Sequence, residues 1–564
     1  MKIIYLICFC MLISFCSCNE SDFLKEIPSG MYTAENMYKT KENFDSAIIQ
    51  LYGGYRSLYY SGNDNEYDFF WGTDFIHAGQ PNVVRFFSDY PATLDPTTAK
   101  VIYHWRGNYK IIANANTIIS RLPDSELTEE EQNAIAAEAK FFRALAYRYL
   151  VFLYGGVPLV VEEITSSKDD FVRASKEEVL EQIIADLEFA ANYLPDISKV
   201  ADGRVSNVTA NHLLAEIALA AKNYDLAVKS ASAAINNPAM GLMTERFGSR
   251  KDEPGDLYWD LFQRGNQNRS NGNKEAIFVI QFELDILGGG QSSTKRTGYQ
   301  MERYHAPNTP LATDPWDKNI LADMLWTTVS GRGTGWLMPT FHFSNEIWYN
   351  VDGEIDYRDI RVSEYNFPRG IEYNNPNGPE KYQGVYFDIN TAENQYCLKE
   401  KGIWSRGAYP YQTKCTTPNN HPASMIANEE TGELRSEAGV TYTDWYDMRL
   451  AETYLLRAEA YLLKGDLSAA AEDINVVRKR AGASLITASE VTIDFILDER
   501  LRELGIEEKR RLTLSRMGKL YERTVKYNVY NAPNIREHHQ FYPIPQSEID
   551  ANVGAVLEQN PGYD

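Results

Sequence analysis

Two helical stretches far apart in the chain constrain its fold more than anything else in it. They are 137–160, AEAKFFRALAYRYLVFLYGGVPLV, and 449–465, RLAETYLLRAEAYLLKG. Both set small residues where two helices must approach closely: Ala139, Ala144 and Ala146 in the first, Ala451, Ala458 and Ala460 in the second. Large apolar residues such as Phe142, Leu145, Tyr149, Leu150 and Leu153 recur at helical spacing, so each helix can bury a broad face. Each ends at glycine, Gly155-Gly156 or Gly465, which accepts the left-handed conformation that stops a helix. The stretch 211–237 places Ala215, Ala218, Tyr224, Ala227 and Ala234 where a tetratricopeptide unit needs small or aromatic packers, and Tyr454, Ala458, Tyr461, Gly465 and Ala470 repeat the pattern. Such units bury their faces only by stacking on one another, so the sequence predicts a solenoid-like scaffold.

Further helices extend that scaffold. The spacing predicts one long amphipathic helix over 33–60, opened by Thr33-Ala34-Glu35. It also predicts a helical hairpin over 104–122 and 128–154, turning at Pro123-Asp124, with Thr128 as N-cap three residues before Glu131. Another helix runs over 175–194, capped by Ser175 with Glu178 and closed by Pro195. From about 240 to 440 the pattern changes, in a span too long for a simple connection. Glycine, proline, asparagine and aromatics crowd in, as at 288–290, 331–335 and 374–378, broken by short strand-like runs such as 276–280. This reads as a loop-rich lobe inserted between helical units, and rigid scaffolds commonly present function on such loops. A second loop-rich insertion, 61–100, carries Phe69, Phe70, Trp71, Asp74, His77 and Arg85.

The wording of the helices resembles the SusD/RagB family of outer-membrane nutrient-binding lipoproteins. The N-terminal signature of that family is matched by Asn108, Ile111, Asn114, Asn116, Ile118 and Ile119, then by Ala137, Glu138, Ala139, Phe142, Arg143, Ala144, Tyr147, Leu150, Tyr154, Gly155, Val157 and Pro158. The C-terminal signature is matched by Arg449-Leu450-Ala451-Glu452, Arg457-Ala458-Glu459-Ala460, INVVRKRAGA (474–483), Asp498-Glu499-Arg500, Glu503-Leu504, Arg510-Arg511, FYPIPQSEI (541–549) and QNPGY (559–563). A middle landmark, Pro339-Thr340 with Asp359 and Arg361, is similar too. The resemblance implies a mainly α fold: a tetratricopeptide-like helical-repeat scaffold carrying a large, loop-rich, mixed α/β lobe. It implies a helical region 18–240, the lobe 241–440 and a C-terminal helical region 441–564. It also implies a cell-surface lipoprotein that captures oligosaccharide or polysaccharide and lids a SusC-like TonB-dependent transporter, with no catalysis of its own. Two alternatives stand beside this: capture of peptide by a RagB-like lid, and hydrolysis of surface glycans.

The first residues support that address independently. Met1-Lys2 and the apolar run 3–15 read as a secretory signal, 1–17, too short for a stable membrane anchor. Cys18 after Ser17 forms an imperfect lipobox, and Asn19, Glu20, Ser21 and Asp22 follow as an acidic export tag like that of the family. Acyl chains on Cys18 would tether the body to the outer membrane without a spanning helix. The formal net charge of -22 disfavours nucleic acid as a partner, because binding it needs a cationic footprint. Beyond the leader and Cys18 only Cys397 and Cys415 remain. They could pair in an oxidising exterior or stay as thiols, and spacing does not decide.

Catalytic and metal-binding patterns are thin. There is no HExxH, paired CxxC or GxSxG. Gly331–Gly335 lacks the lysine and helix of a phosphate loop, and the acidic run 352–359 lacks the glycine and final glutamate of an EF-hand. No cofactor and no metal are expected. Binding chemistry is better supplied, with 37 tyrosines and 9 tryptophans, the tryptophans concentrated in the loops. A flat indole or phenol ring covers the apolar face of a sugar, while Asn, Asp, Gln and Arg satisfy its hydroxyls. On that ground the ligand site is expected on the loops 69–85 and 299–348. Trp71 and Trp336 would stack on sugar faces, Asp74 and Arg85 would bond hydroxyls, and Tyr299 and Trp316 would add apolar contact.

Overall fold

The computed structural model describes residues 38–80, 87, 89–295, 297–314, 321, 323–389, 397–398, 403–440 and 442–563. The leader 1–17, Cys18, Arg85 and Trp316 lie outside them, as does the Cys397 side chain, while Cys415 is a buried free thiol. The fold is mainly α. Eleven helices organise it: α1 Lys41–Tyr59, α2 Ala99–Arg121, α3 Glu129–Tyr154, α4 Lys176–Tyr193, α5 Asn207–Ala220, α6 Tyr224–Ile235, α7 Leu450–Lys464, α8 Leu467–Arg480, α9 Ile493–Glu503, α10 Arg510–Arg516 and α11 Leu520–Tyr527. Among the described residues no helix is long and apolar enough to cross a membrane.

Local chemistry sets the helix ends. Thr128 and Glu131 form a reciprocal capping box at α3, as Ser175 and Glu178 do at α4, and Gly465 ends α7 at φ 83° in the left-handed region. The first helix differs from expectation. It starts at Lys41, capped by Thr40, rather than at residue 33, because Asn43 closes a capping box there and residues 38–40 are bent. The helix α2 begins at Ala99, ahead of the expected 104. From Phe141 to Tyr154 every residue of α3 except Arg148 is buried, so this helix is covered all round rather than on one face. Each large apolar side chain so buried is worth about 1.5–3 kcal/mol.

Successive helices pack pairwise, α3 on α4, α4 on α5, α5 on α6 and α7 on α8. The stack is also continuous across the gap in sequence, because α6 packs on α7. The chain between Ile235 and Leu450 therefore leaves the stack and returns to it. The strands β2 Ala276–Ile280 and β6 Trp445–Arg449 close that excursion by pairing antiparallel, Trp445 opposite Ile280. Two further pairs are antiparallel, β1 Ile76–Ala78 with β3 Leu337–Pro339 and β4 Gly370–Glu372 with β5 Tyr386–Asp388.

Buried charge fastens the lobe to the stack. Arg361 of the lobe bonds Asp359 (2.7 Å), Glu499 (2.9 Å) and Glu503 (3.2 Å), the last two on α9. Arg449 reaches Glu503 (2.6 Å) and Glu275 (2.9 Å), and Arg480 of α8 bonds both of these carboxylates. Burial alone would raise the Glu503 carboxyl, but Arg480, Arg449 and Arg361 outweigh it and hold the group well below the usual carboxylate range. Ion pairs of this kind fix one arrangement rather than add much net stability, and they become costly when one partner is removed.

Candidate functional site

The structure brings the two segments expected to hold the ligand site together, but it uses most of their side chains as core. Pairing of β1 with β3 sets Ile76 opposite Pro339, and the Trp71 Nε1 donates to the Trp336 carbonyl at 2.9 Å. Trp71 is fully buried among Tyr67, Tyr304 and Lys100, so neither ring face is open to a sugar. Tyr299 is buried as well, stacked on Tyr67 with centroids 5.5 Å apart. Asp74 accepts two bonds from Arg510 (2.9 and 2.6 Å) and one from Arg523 (2.6 Å), with no exposed surface. Burial raises its carboxyl, but the two guanidiniums bring it down to about 2. The expectation that Trp71, Asp74 and Tyr299 touch ligand is corrected here: their faces and lone pairs are spent inside the protein. Trp336 is partly buried, edge-on to Tyr304 at 5.0 Å. Sequence reasoning missed the cause, two arginines that arrive from the far end of the chain.

A cleft of about 770 Å³ opens instead in the inserted lobe, within the roughly 300–1,000 Å³ range of ligand pockets. Its aromatic lining comes from Trp259, Tyr365, Tyr373, Tyr409 and Tyr411, with Pro368, Ile371 and Val329 beside them. Each wall has an identifiable support. Asp256 caps the helical turn Leu257–Asp260 by accepting from the Tyr258 and Trp259 amides (3.0 and 2.8 Å). The same carboxylate accepts from Asn366 (2.9 Å) and Ser363 (2.8 Å). That bridge holds Trp259 and Tyr365 as neighbours, 6.2 Å between ring centroids. On the floor the Tyr409 hydroxyl donates to the His305 carbonyl at 2.8 Å, which orients its ring. Gly370 on β4 lets the Tyr386 ring lie against the backbone, since a Cβ there would meet that ring at 1.9 Å.

Two surfaces of the cleft remain available. Tyr365 is partly buried, and its hydroxyl has no protein partner among the described residues. Glu253, Glu364, Glu372 and Asn419 are exposed on the rim. Trp259 is less open, because the Arg250 guanidinium lies over its ring at 4.5 Å. The arrangement offers aromatic and aliphatic walls to an apolar face, with carboxylate acceptors and an amide at the edge for hydroxyl groups. Among the described residues no three His, Cys, Asp or Glu side chains come together in a metal-holding group. Of the expected ligand contacts that are described, Trp71, Asp74, Tyr299 and Trp336, none lines the cleft, although Thr309, Thr327, Val329 and Ser330 belong to the 299–348 segment. The available signal was the density of aromatics in the lobe, among them Trp259 and the Tyr409-Pro410-Tyr411 triplet.

Comparison with known proteins agrees with this architecture. Residues 274–563 match the family model described as "SusD family", and residues 22–219 match one described as "Starch-binding associating with outer membrane". SusD-like protein P25 of Formosa agariphila is 26% identical over the whole of both chains. Starch-binding protein SusD of Bacteroides thetaiotaomicron is 26% identical over 78% of this chain and 74% of that one. Surface glycan-binding protein A from Bacteroides thetaiotaomicron, solved in complex with laminarihexaose, has a TM-score of 0.61 at 20% identity, covering 93% of this chain and 100% of the other.

Proposed function

The chain belongs to the SusD family, and from that premise we propose that it binds oligosaccharide at the outer-membrane surface in the aromatic cleft of its inserted lobe and passes it to a SusC-like TonB-dependent transporter. The observation that carries the reading is the cleft itself: an aromatic, ligand-sized cavity on loops braced by buried ion pairs against a rigid helical stack. Relatives named for binding starch or solved with laminarihexaose support a glycan as the ligand class. The reading assigns binding, not bond cleavage, with energy for import supplied through the transporter. Acyl chains on Cys18 would hold the body at the membrane, and Cys18→Ala should move the folded protein from the outer-membrane fraction to the soluble one. Arg85 and Trp316 remain in the proposal as further ligand contacts, and Trp336, which does not line the cleft, as a contact beyond it.

The test is a panel of purified polysaccharides and oligosaccharides, with retention and product release scored separately. Tyr365→Ala removes the open aromatic wall. Losing a central platform costs about 2 kcal/mol or more, roughly thirtyfold in affinity by calorimetry. Wild-type affinity in Tyr365→Ala would move the site out of the cleft. New reducing ends would mark a hydrolase, and retention of peptides but of no glycan would mark a RagB-like lid.

A further inference from the structure

The charge pattern of the cleft says which glycans it can take, an inference that rests on the binding role proposed above. Three carboxylates, Glu253, Glu364 and Glu372, stand exposed on its rim. Arg250 is the one cation among its described lining residues, and its donors are already committed. Its Nε and Nη2 face the Glu253 carboxylate at 2.7 Å, and its Nη1 donates to Gln263 (3.0 Å) and to the Pro418 carbonyl (2.7 Å). Its guanidinium also lies over Trp259.

We propose that the cleft selects uncharged oligosaccharides and rejects glycans carrying uronate carboxylates or sulfate esters. An anionic group entering here would lose water, meet carboxylates of its own sign and find no uncommitted cation among the described lining residues. Discrimination then comes from a built-in repulsive element as much as from attraction. A neutral sugar experiences the same rim differently. Its hydroxyls donate to Glu364 and Glu372 in charge-assisted bonds, while Tyr365 covers a C–H face. The formal charge of -22 on the whole chain adds a longer-range repulsion, which salt screens beyond about 8 Å at physiological ionic strength.

The experiment is calorimetry with hexasaccharides of matched length. Maltohexaose, laminarihexaose and cellohexaose form the neutral set; hexagalacturonate and a chondroitin sulfate hexasaccharide form the anionic set. At least one neutral member should bind, and both anionic ones should bind at least about thirtyfold more weakly, the discrimination that roughly 2 kcal/mol supplies. The double variant Glu364→Gln/Glu372→Gln should shrink that ratio, because amides keep the acceptors and remove the repulsion. An anionic hexasaccharide that binds as tightly as any neutral one, with its affinity lost in Tyr365→Ala, would overturn the selectivity and leave the binding role standing. A neutral-to-anionic ratio unchanged in the double variant would overturn the selectivity too. If no glycan of either set or of the wider polysaccharide panel binds, the binding role fails first and this inference falls with it.

Discussion

Ala458 on α7 lies among Ala451, Leu455, Ala470 and Ile474, apolar neighbours from its own helix and the next. Arg361 in the lobe lies among Asp359, Glu499 and Glu503, charged neighbours of which two are 138 and 142 residues away. At these two places the stack rests on short-range pattern and apolar burial, and the lobe on long-range polar pairing. The first kind of order tolerates a change gradually. The second holds loops in one arrangement and fails when a single partner is lost. A ligand cleft built from loops benefits from that rigidity, because its walls come from segments as distant as 256–259, 364–374 and 408–419.

The largest expected effect tests this contrast directly. Arg361→Met keeps most of the side-chain volume but leaves Asp359, Glu499 and Glu503 facing one another without that guanidinium. Breaking a buried pair in this way costs about 3–5 kcal/mol. Ala458→Leu, which forces extra methylenes into a close-packed contact of the stack, costs about 1–3 kcal/mol. Denaturant unfolding of the two variants should rank them in that order. Equal losses would show that the lobe is no more dependent on single residues than the stack.

Acid should separate the regions next. Asp74 falls to about 2 from an ordinary 3.8, and Glu499 to about 2 from 4.5, burial being outweighed in both by facing guanidiniums. A carboxyl depressed in the fold contributes stability that is present above its unfolded value and lost as pH drops through the folded one. For Asp74 this amounts to about 2 kcal/mol, lost between about pH 4 and pH 2. Thermal midpoints should therefore fall steeply across that window, and the fall should be shallower in Asp74→Asn. An identical slope in that variant would remove Asp74 from the account.

The same contrast explains what could be read from sequence. Thr128 with Glu131, Ser175 with Glu178, Gly465 and the alanines of α3 and α7 act within a few residues, so their spacing announced helices and close contacts. Asp74 looked like a ligand contact because its partners, Arg510 and Arg523, lie 436 and 449 residues away and nothing local announces them. Trp71 looked like a platform because a tryptophan in a loop reads alike whether its ring faces water or Tyr67 and Tyr304. The lobe's aromatics were visible as a composition, but only the Asp256 bridge to Ser363 and Asn366 makes Trp259 and Tyr365 neighbours.

The smallest expected effect sharpens the comparison from the stack's side. Thr128 Oγ1 accepts from the Glu131 amide at 3.4 Å, and Glu131 Oε2 accepts from the Thr128 amide at 3.0 Å, so each satisfies a backbone or side-chain group of the other at the start of α3. Thr128→Ala removes the hydroxyl acceptor and exposes one amide donor to water, which replaces part of the bond. The cost is that of an ordinary N-cap, about 1 kcal/mol. Because the box is exposed and the body of α3 is buried, the loss should stay confined to the first turn, with amide hydrogen exchange accelerated at 129–132 and unchanged beyond Phe141. Arg361→Met should instead speed exchange at sites on both sides of its network, in α9 and around Asp359. If Thr128→Ala loosened the whole of α3, the stack would share the all-or-none character of the lobe, and the division between local and long-range order would not hold.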